Sequence, residues 1–454
     1  MKMSYEIIAN VETMKDFETT KNFEIMKDFE TIKNFETVKN LIESKGKFGS
    51  LPGCEISKII LKQLEHPESG LPLIHIAGTN GKGSVSAFLC AILKEAGLKV
   101  GMLTSPHLVD FRERIQINRE LISKEDFVRL GKWLLEQDFG VKASMSDYCL
   151  VMALLYFKEQ KCDVVILETG LGGKLDSTNA VGVPLVSVIT KIGFDHMAIL
   201  GDTLEKIAGE KAGIIKKGTR LICESQTPEV EAVFYKKAEE IHAKSIQIIE
   251  KQEIQIKGQQ ENVGGFSAYG YKNLKLSMLG LHQFENATAA ILAAEAFWEE
   301  QYKRESQELE PAIRKGLEKA EWAGRMQILS KEPFFMIDGA HNSNGIEALC
   351  KSLKALFPEE KFHFLFGVLA DKDYKEMIQE LLPLALDFTT VTAEHDNAMD
   401  AEKLAEYIRT CGIKAESKAS LKEALSEITG ERKEKRKEKT IALGSLYFIS
   451  EIML

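Results

Sequence analysis

The chain has 454 residues, 44% hydrophobic and 28% charged, with a formal net charge of −9. At about 100–200 residues per domain that length favours two or three domains with ample core, and the acidic balance argues against a non-specific nucleic-acid binder. No apolar run nears the roughly 18 residues of a membrane span; Leu150 to Phe157, eight residues, is among the longest.

Near the start a hexapeptide recurs. Phe17, Phe23, Phe29, Phe35 and Leu41 fall every six residues, with Met14, Thr20, Met26, Ile32 and Val38 midway. A step of three advances about 300° on an α-helix, so this stripe slips around the axis instead of holding one face. A tandem duplication that lengthened an N-terminal helix over residues 1–40 is the preferred reading, with a partner-binding helix as the alternative. From Leu71 the text changes to strand LPLIHIAG, helix SVSAFLCAILKEAG, strand KVGMLTS, a loop, helices KEDFVRLGKWLLEQ and YCLVMALLYFKEQ, and strands DVVILETG and PLVSVIT. Short apolar strands alternating with amphipathic helices imply βαβ units around a mainly parallel sheet. Leu221 to Gly280, with shorter strand signals, reads as a peripheral sheet excursion, and helix NATAAILAAEAFWEEQY follows. A second α/β series runs from FFMIDGAH through NGIEALCKSLKALF, KFHFLFGVL, DYKEMIQELLP, DFTTVTA and DAEKLAEYIRT to TIALGSLYF, read as a closing strand. The boundary is placed near residue 300, giving units 41–300 and 301–454. The run GERKEKRKEK at 430–439 reads as a solvated loop or helix end rather than a docking patch. Seven cysteines, Cys54, Cys90, Cys149, Cys162, Cys223, Cys350 and Cys411, are odd in number and never in C-x-x-C spacing, which suits reduced thiols and no zinc site. With no long apolar signal core at the start, a cytoplasmic α/β enzyme is expected.

The strongest motif is Gly78-Thr79-Asn80-Gly81-Lys82-Gly83-Ser84 between a strand and a helix. Backbone N–H groups of such a loop, backed by a helix N-terminus, can wrap a polyphosphate, and Lys82 would neutralise phosphate charge. The spacing departs from G-x-x-x-x-G-K-S/T, because position 76 is Ile and Gly83 separates the lysine from Ser84. Three further stretches sit at strand ends, where ligands of open α/β sheets collect: Thr104-Ser105-Pro106-His107, Glu168 to Gly173 followed by Lys174 to Asn179, and Gly193-Phe194-Asp195-His196 with Glu210-Lys211-Ala212-Gly213 downstream. A hydroxyl, a carboxylate and an imidazole could together hold Mg²⁺ against a γ-phosphate, the metal keeping some waters. His196 alone would read as a structural histidine; three such stretches after a phosphate loop favour the metal. In the second half, Trp322-Ala323-Gly324-Arg325 and Asp338-Gly339-Ala340-His341-Asn342 join glycine turns to charge. Arg325 could pair with phosphate and Asp338 with a ribose or amine; the alternative is an Arg325–Asp338 pair tying two loops together.

The blocks HIAGTNGKGSVSAFL, TSPHLVDFRERIQIN, ETGLGGKLDSTN, GFDHMAILGDTLEKIAGEKAGIIK, HQFENATAAILAA, GRMQIL, DGAHN, FGVLADKD and GSLYF together resemble folylpolyglutamate synthases of the Mur ligase superfamily, in order from about Phe35 to the C-terminus. The resemblance implies an N-terminal P-loop ATPase-like domain with a parallel sheet and a smaller C-terminal Rossmann-like α/β domain. It implies that Thr79, Asn80, Gly81, Lys82, Gly83 and Ser84 bind ATP, with Asn286, Arg325 and Asp338 reaching it from the far side. Ser105, Glu168 and His196 match the family's Mg²⁺ positions, and Lys211 matches a lysine carbamylated in the family. His341 and Ser445 match candidates for handling the incoming glutamate, and Leu175, Asp176 and Ser177, with Ser144 to Asp147, fall where the family lines its pterin or folate pocket. Lys82, His196, Lys211 and His341 are therefore the expected catalytic set.

Departures bear on the acceptor. Lys174 stands in place of the commoner arginine, Ser146-Asp147 in place of Phe-Glu, Ser343 in place of a proline, and Asn118-Arg119 in place of Asn-Gly. The expected reaction adds L-glutamate to the γ-carboxylate of a tetrahydrofolyl-(poly)glutamate at the expense of ATP, through an acyl phosphate, with domain closure excluding water. Dihydropteroate as a second or alternative acceptor, another Mur-type amide ligase, and a P-loop ATPase without ligase activity are the alternatives. The expected partners are small molecules alone, with no nucleic acid and no membrane, and the chain is expected to be a monomer.

Overall fold

The computed structural model describes residues 34–46, 49–51, 53–260, 263–429 and 438–454. Three sheets and the helices around them build it. In chain order the first part holds α1 (Phe35–Glu43), α2 (Glu55–Gln63), β1 (Leu73–Ala77), α3 (Lys82–Glu95), β2 (Val100–Leu103), β3 (Ile115–Ile117), β4 (Glu120–Leu121), α4 (Lys124–Glu136), α5 (Met145–Glu159), β5 (Val164–Glu168), β6 (Val186–Ile189), α6 (Met197–Leu200), α7 (Leu204–Lys211), β7 (Arg220–Cys223), α8 (Pro228–Glu240) and β8 (Ser245–Ile248). The eight strands form one sheet in the order β4-β3-β2-β5-β1-β6-β7-β8, parallel from β2 to β8, with β3 and β4 added antiparallel at one edge. Strands β1 and β5 are buried along their whole length, so they read as continuous apolar runs rather than alternating ones.

A hairpin sheet, β9 (Ile254–Gln260), β10 (Val263–Ala268) and β11 (Tyr271–Leu276), follows in the order β11-β10-β9. Next come α9 (His282–Tyr302) and α10 (Glu310–Lys319). Helix α3 is buried from Gly83 to Leu93 because the sheet covers one side and α9 and α10 the other. An alanine-rich stripe on α9, with Ala287, Ala290 and Ala294 in that core, permits the close approach. The opposite face of the sheet packs on α1, α2, α4 and α5.

The second part holds β12 (Gln327–Lys331), β13 (Phe334–Ile337), α11 (Ser343–Leu356), β14 (Phe362–Phe366), α12 (Tyr374–Leu381), β15 (Ala385–Thr390), α13 (Ala401–Thr410), β16 (Ala415–Ser417), α14 (Leu421–Thr429), β17 (Thr440–Leu443) and α15 (Leu446–Met453). Its sheet runs β12-β13-β17-β14-β15-β16, parallel except for β12. Helices bury both of its faces.

Two sequence readings need correction. Leu221 to Ile248 is not peripheral: β7 and β8 extend the main parallel sheet with α8 between them, and only β9 to β11 stand apart. GSLYF is not strand: β17 ends at Leu443, Gly444 turns, and the Ser445 hydroxyl caps α15 by accepting from Tyr447 N. The last hexapeptide copy is part of the packed fold. Asn34 caps α1, Phe35, Val38 and Ile42 are buried, and the Phe35 ring meets Phe127 edge-on at 5.0 Å. The repeat before Asn34 and the basic residues 430–437 lie outside the described residues.

Candidate active site

The parallel strands of both sheets end facing one another, joined through Asn80–Asn342 and Asp195–Lys372. The phosphate loop leaves β1 and turns into α3. Gly81, at φ 95°, precedes the helix, and a Cβ there would stand 2.5 Å from Asn286 Oδ1. A Cβ on Gly83 would stand 2.5 Å from Trp322 Nε1. Glycine at these two positions lets α9 and the Trp322 loop close on the helix start. The N–H groups of Thr79 and Asn80 are already given to Lys191 O, at 2.9 and 3.2 Å. The amides left to meet an anion are therefore those of Lys82, Gly83 and Ser84 in the first turn of α3, which have no helical acceptor. Thr79 and Asn80 tie the loop down instead: Thr79 Oγ1 bonds to Gly193, and Asn80 exchanges amide hydrogen bonds with Asn342. Ser84 Oγ accepts from Gln283 Nε2, whose side-chain carbonyl holds Asn286.

Lys82 Nζ folds back onto the carbonyls of Gly78 (3.0 Å) and Thr79 (3.2 Å). Lys211, buried at the end of α7, donates to Gly78 O at 2.8 Å. Burial, then the Lys82 charge, brings its amine down to about 7. Glu168, buried at the end of β5, is pushed up to about 7 by burial, against the pull of Lys82, the Ser105 N–H and Arg325. A Cβ on Gly170 would stand 3.4 Å from both Ser105 Oγ and Asp176 Oδ2, so the two loops meet there. His196 occupies a left-handed turn at φ 50° before α6 and is 44% exposed. Among the described residues no three His, Cys, Asp or Glu side chains converge on one point. A cation held by Ser105, Glu168 and His196 would have to be completed by phosphate oxygens and water. The incompletely compensated burial of Glu168 fits such a cation, because a divalent charge would hold the carboxylate ionised.

From the second sheet, Asp338 at the end of β13 accepts from the N–H groups of Met326 and Ala340, both at 2.8 Å. Arg325 does not pair with it; its Nη1 donates to Gly324 O and its charge reaches Glu168. His341 Nδ1 lies 2.8 Å from Gly339 O, and Ser445 is buried at the end of the neighbouring strand β17.

On the acceptor side Leu175 is 56% exposed, and Asp176 organises the turn, accepting from the N–H groups of Gly170, Leu171 and Thr178. Ser177 starts the short helical turn that Asp176 caps. Ser144 and Asp147 instead form the capping box of α5, and Asp147 also accepts from Ser57 Oγ. Their side-chain oxygens are engaged in that cap.

Sequence reasoning assigned no role to the node that joins the two sheets. Asp195 receives Lys372 Nζ at 2.6 Å and Asn342 Nδ2 at 3.2 Å, with His341 Nε2 at 3.5 Å. Asp195 and Lys372 are only 10% and 11% exposed, and these contacts hold Asp195 well below the usual carboxylate range against the cost of burial. All four residues lie in blocks singled out above, GFDH, DGAHN and FGVLADKD; their pairing, across up to 177 positions, leaves no local trace. Arg119, in a left-handed conformation at φ 71°, stacks on Trp322 at 4.8 Å and lies beside Cys90 of α3.

The chain matches the Mur ligase middle domain over residues 76–294 and the Mur ligase glutamate ligase domain over 324–437. It is 40% identical to the dihydrofolate synthase/folylpolyglutamate synthase of Bacillus subtilis over 357 residues, 76% of this chain and 82% of that protein. The crystal structure of the Thermotoga maritima folylpolyglutamate synthase superposes with a TM-score of 0.78 at 31% identity, covering 92% of this chain and 96% of that one. E. coli FolC, solved with DHPP and ADP, gives 0.80 at 29% identity over 92% of this chain and 97% of that one.

Proposed function

The chain belongs to the folylpolyglutamate synthase/dihydrofolate synthase family of Mur ligases, and on that premise we propose that it is an ATP-dependent ligase adding L-glutamate to the γ-carboxylate of tetrahydrofolyl-(poly)glutamate. The observation that carries this reading is the convergence of Lys82, Lys211 and Glu168 on one phosphate-binding helix start, within a chain 40% identical to a named member. A carboxylate is a poor electrophile towards an amine and needs activation. The folate carboxylate takes the γ-phosphoryl group of ATP, ADP leaves, and the glutamate amine displaces phosphate from the acyl carbon. The first-turn amides of α3 hold the transferring phosphates, and Lys82 leaves its two carbonyls to neutralise their charge. Asn286, Arg325 and Asp338 are assigned to the nucleotide's far side, and His341 and Ser445 to the incoming glutamate. Leu175, Asp176 and Ser177 are assigned to the acceptor.

Ser105, Glu168 and His196 would hold Mg²⁺, which would supply charge neutralisation on the phosphates. The Lys211 amine, brought to about 7, has the neutral population that carbamylation requires; the resulting anion would face Lys82. The Asp195 node keeps the two sheets' strand ends together, which suits a reaction whose acyl phosphate must be kept from water. Among the described residues no helix is long and apolar enough to cross a membrane; a cytoplasmic monomer is the proposed state.

The second reading, an enzyme that also accepts dihydropteroate, is favoured by the double name of the Bacillus subtilis relative. The deciding assay measures ADP release with ATP, Mg²⁺ and L-glutamate, separately with tetrahydrofolate, with dihydropteroate and with no acceptor. Turnover on tetrahydrofolate alone means a dedicated polyglutamate enzyme, turnover on both a bifunctional one, and acceptor-independent release overturns the ligase reading.

A further inference from the structure

Behind the acceptor loop lies a buried histidine that the mechanism above does not use. His75 sits on the central strand β1, three residues before Gly78, and is fully buried. Its Nε2 lies 2.8 Å from Thr178 Oγ1. Thr178 Oγ1 in turn lies 2.5 Å from Asp176 Oδ1, and Asp176 Oδ2 accepts from the N–H groups of Gly170 and Leu171, both at 2.9 Å.

The proton directions in this chain follow from chemistry. An ionised carboxylate only accepts, so the single hydroxyl proton of Thr178 goes to Asp176. The hydroxyl oxygen must then accept from His75, which fixes the ring as the Nε2–H tautomer with a bare Nδ1. That Nδ1 meets no hydrogen-bond partner among the described residues. Burial, and next the Lys216 ammonium, bring the imidazole down to about 3, which keeps it neutral. Lys216 holds the other end of the same turn, donating to the carbonyls of Asn179, Val181 and Gly182. A leucine would fill the histidine's space without burying a bare nitrogen; what the imidazole adds is a donor of fixed direction.

Asp176 stands close to the reacting groups. Its charge raises the pKa of both Glu168 and Lys211, and Leu175 beside it presents an open apolar side chain. We propose that His75 and Thr178 are positioning residues for the acceptor substrate, holding the Gly170–Ser177 loop in register with the phosphate loop through Asp176. This rests on the reading of Asp176 as an acceptor-side residue.

The test uses the full-length enzyme with tetrahydrofolate as varied acceptor and compares Thr178→Val and His75→Leu with the conservative Thr178→Ser and His75→Gln, which keep a hydroxyl and a donor in place. Loss of a hydrogen bond in a chain ending on a charged group corresponds to about tenfold or more. Thr178→Val and His75→Leu should therefore raise the KM for tetrahydrofolate by about tenfold, and leave those for ATP and glutamate within about twofold. Thr178→Ser and His75→Gln should recover most of the loss. A folded Thr178→Val enzyme with wild-type KM for tetrahydrofolate overturns the inference, as does a parallel rise in the KM for ATP, which would mark a general defect of the sheet. Should His75→Leu fail to fold, the threonine pair alone decides. Wild-type enzyme without acceptor-dependent turnover would overturn the acceptor reading and this inference together, whereas an active wild type with an unaffected Thr178→Val variant overturns the inference alone.

Discussion

The two sets of strand ends that face each other differ in how their charges are settled. On the larger sheet, buried ionisable groups remain in tension with their surroundings: Glu168 is pushed up to about 7 and Lys211 down to about 7 by burial, and Glu224, at the end of β7, is raised well above its ordinary range. On the smaller sheet the polar groups are already satisfied by backbone: Asp338 accepts from two N–H groups, His341 meets Gly339 O, and Ser445 caps α15. The first edge is arranged for a ligand that brings charge, and the second is a preformed jaw that presents fixed atoms to it. Asp195 is the exception that joins them, a residue of the larger sheet whose partners, apart from the adjacent His196, belong to the smaller.

The largest effects should come from removing charge at the first edge. Lys82→Ala and Glu168→Ala should each cut ligation by at least about 10²-fold, through lost stabilisation of the transferring phosphoryl group and its cation. Near-native turnover by either variant, in steady-state ADP release, would remove that residue from the reaction centre.

The carbamate proposal comes next. Lys211→Ala should lower turnover by about tenfold or more through loss of an anion beside the phosphates, with partial recovery on adding a small carboxylate such as acetate or formate. The pH sign follows from the lowered amine. The cost of burying the charged form is fully present below about 7 and is relieved as pH rises through that value. At fixed dissolved CO₂, the carbamate signal in ¹³C NMR with labelled bicarbonate should therefore grow from pH 6 to pH 8. A pH-independent signal, or full activity of Lys211→Ala without added carboxylate, would sink the proposal.

Breaking the link itself should have a smaller effect. Asp195→Asn leaves Lys372 facing a neutral amide, and a buried charge that loses its partner is strongly unfavourable. Turnover should fall by about tenfold as the jaws lose register, with ATP affinity by calorimetry within about twofold, and scattering should report a larger radius of gyration. An unchanged radius with unchanged turnover would mean that the node is not what holds the two sheets together.

How far the sequence carried these conclusions differs along the same divide. Gly81, Lys82 and Ser84 were readable because a strand, a glycine turn and a helix start are local and adjacent in the chain. Asp338 was readable as a polar residue ending an apolar strand, whereas Ser445 was read inside a strand and singled out only by the family resemblance. The Asp195–Lys372 pair, the Asn80–Asn342 exchange and the His75–Thr178–Asp176 chain were not, since each depends on which loops the sheets bring together. Ser144 and Asp147 carry a structural signal that was not read. Their spacing of three is the local signature of a helix cap, and the structure uses it as one. Strands β7 and β8 were misplaced because four-residue strands flanking a strongly charged helix carry too little apolar pattern to reveal their sheet.

One isosteric change applied at both edges should separate them by sign. Glu224 is buried, its Oε1 meets no partner among the described residues, and burial followed by the Glu285 charge raises its pKa. Between about pH 4.5, where it would titrate unfolded, and its raised folded value, the native chain binds more protons than the unfolded one. Its contribution is therefore fully present at low pH and is lost as pH rises. Glu224→Gln keeps the shape without that loss, so its advantage should be smallest at pH 5 and grow steadily towards pH 8. Asp338→Asn does the opposite. One of the two N–H groups that its carboxylate accepts would face an amide NH₂, costing about 1–3 kcal/mol at any pH where the carboxylate is ionised. Thermal unfolding of both variants at pH 5, 6.5 and 8 reads this directly. A Glu224→Gln advantage that does not grow with pH, or an Asp338→Asn variant as stable as the parent, would mean that the two edges are not settled differently after all.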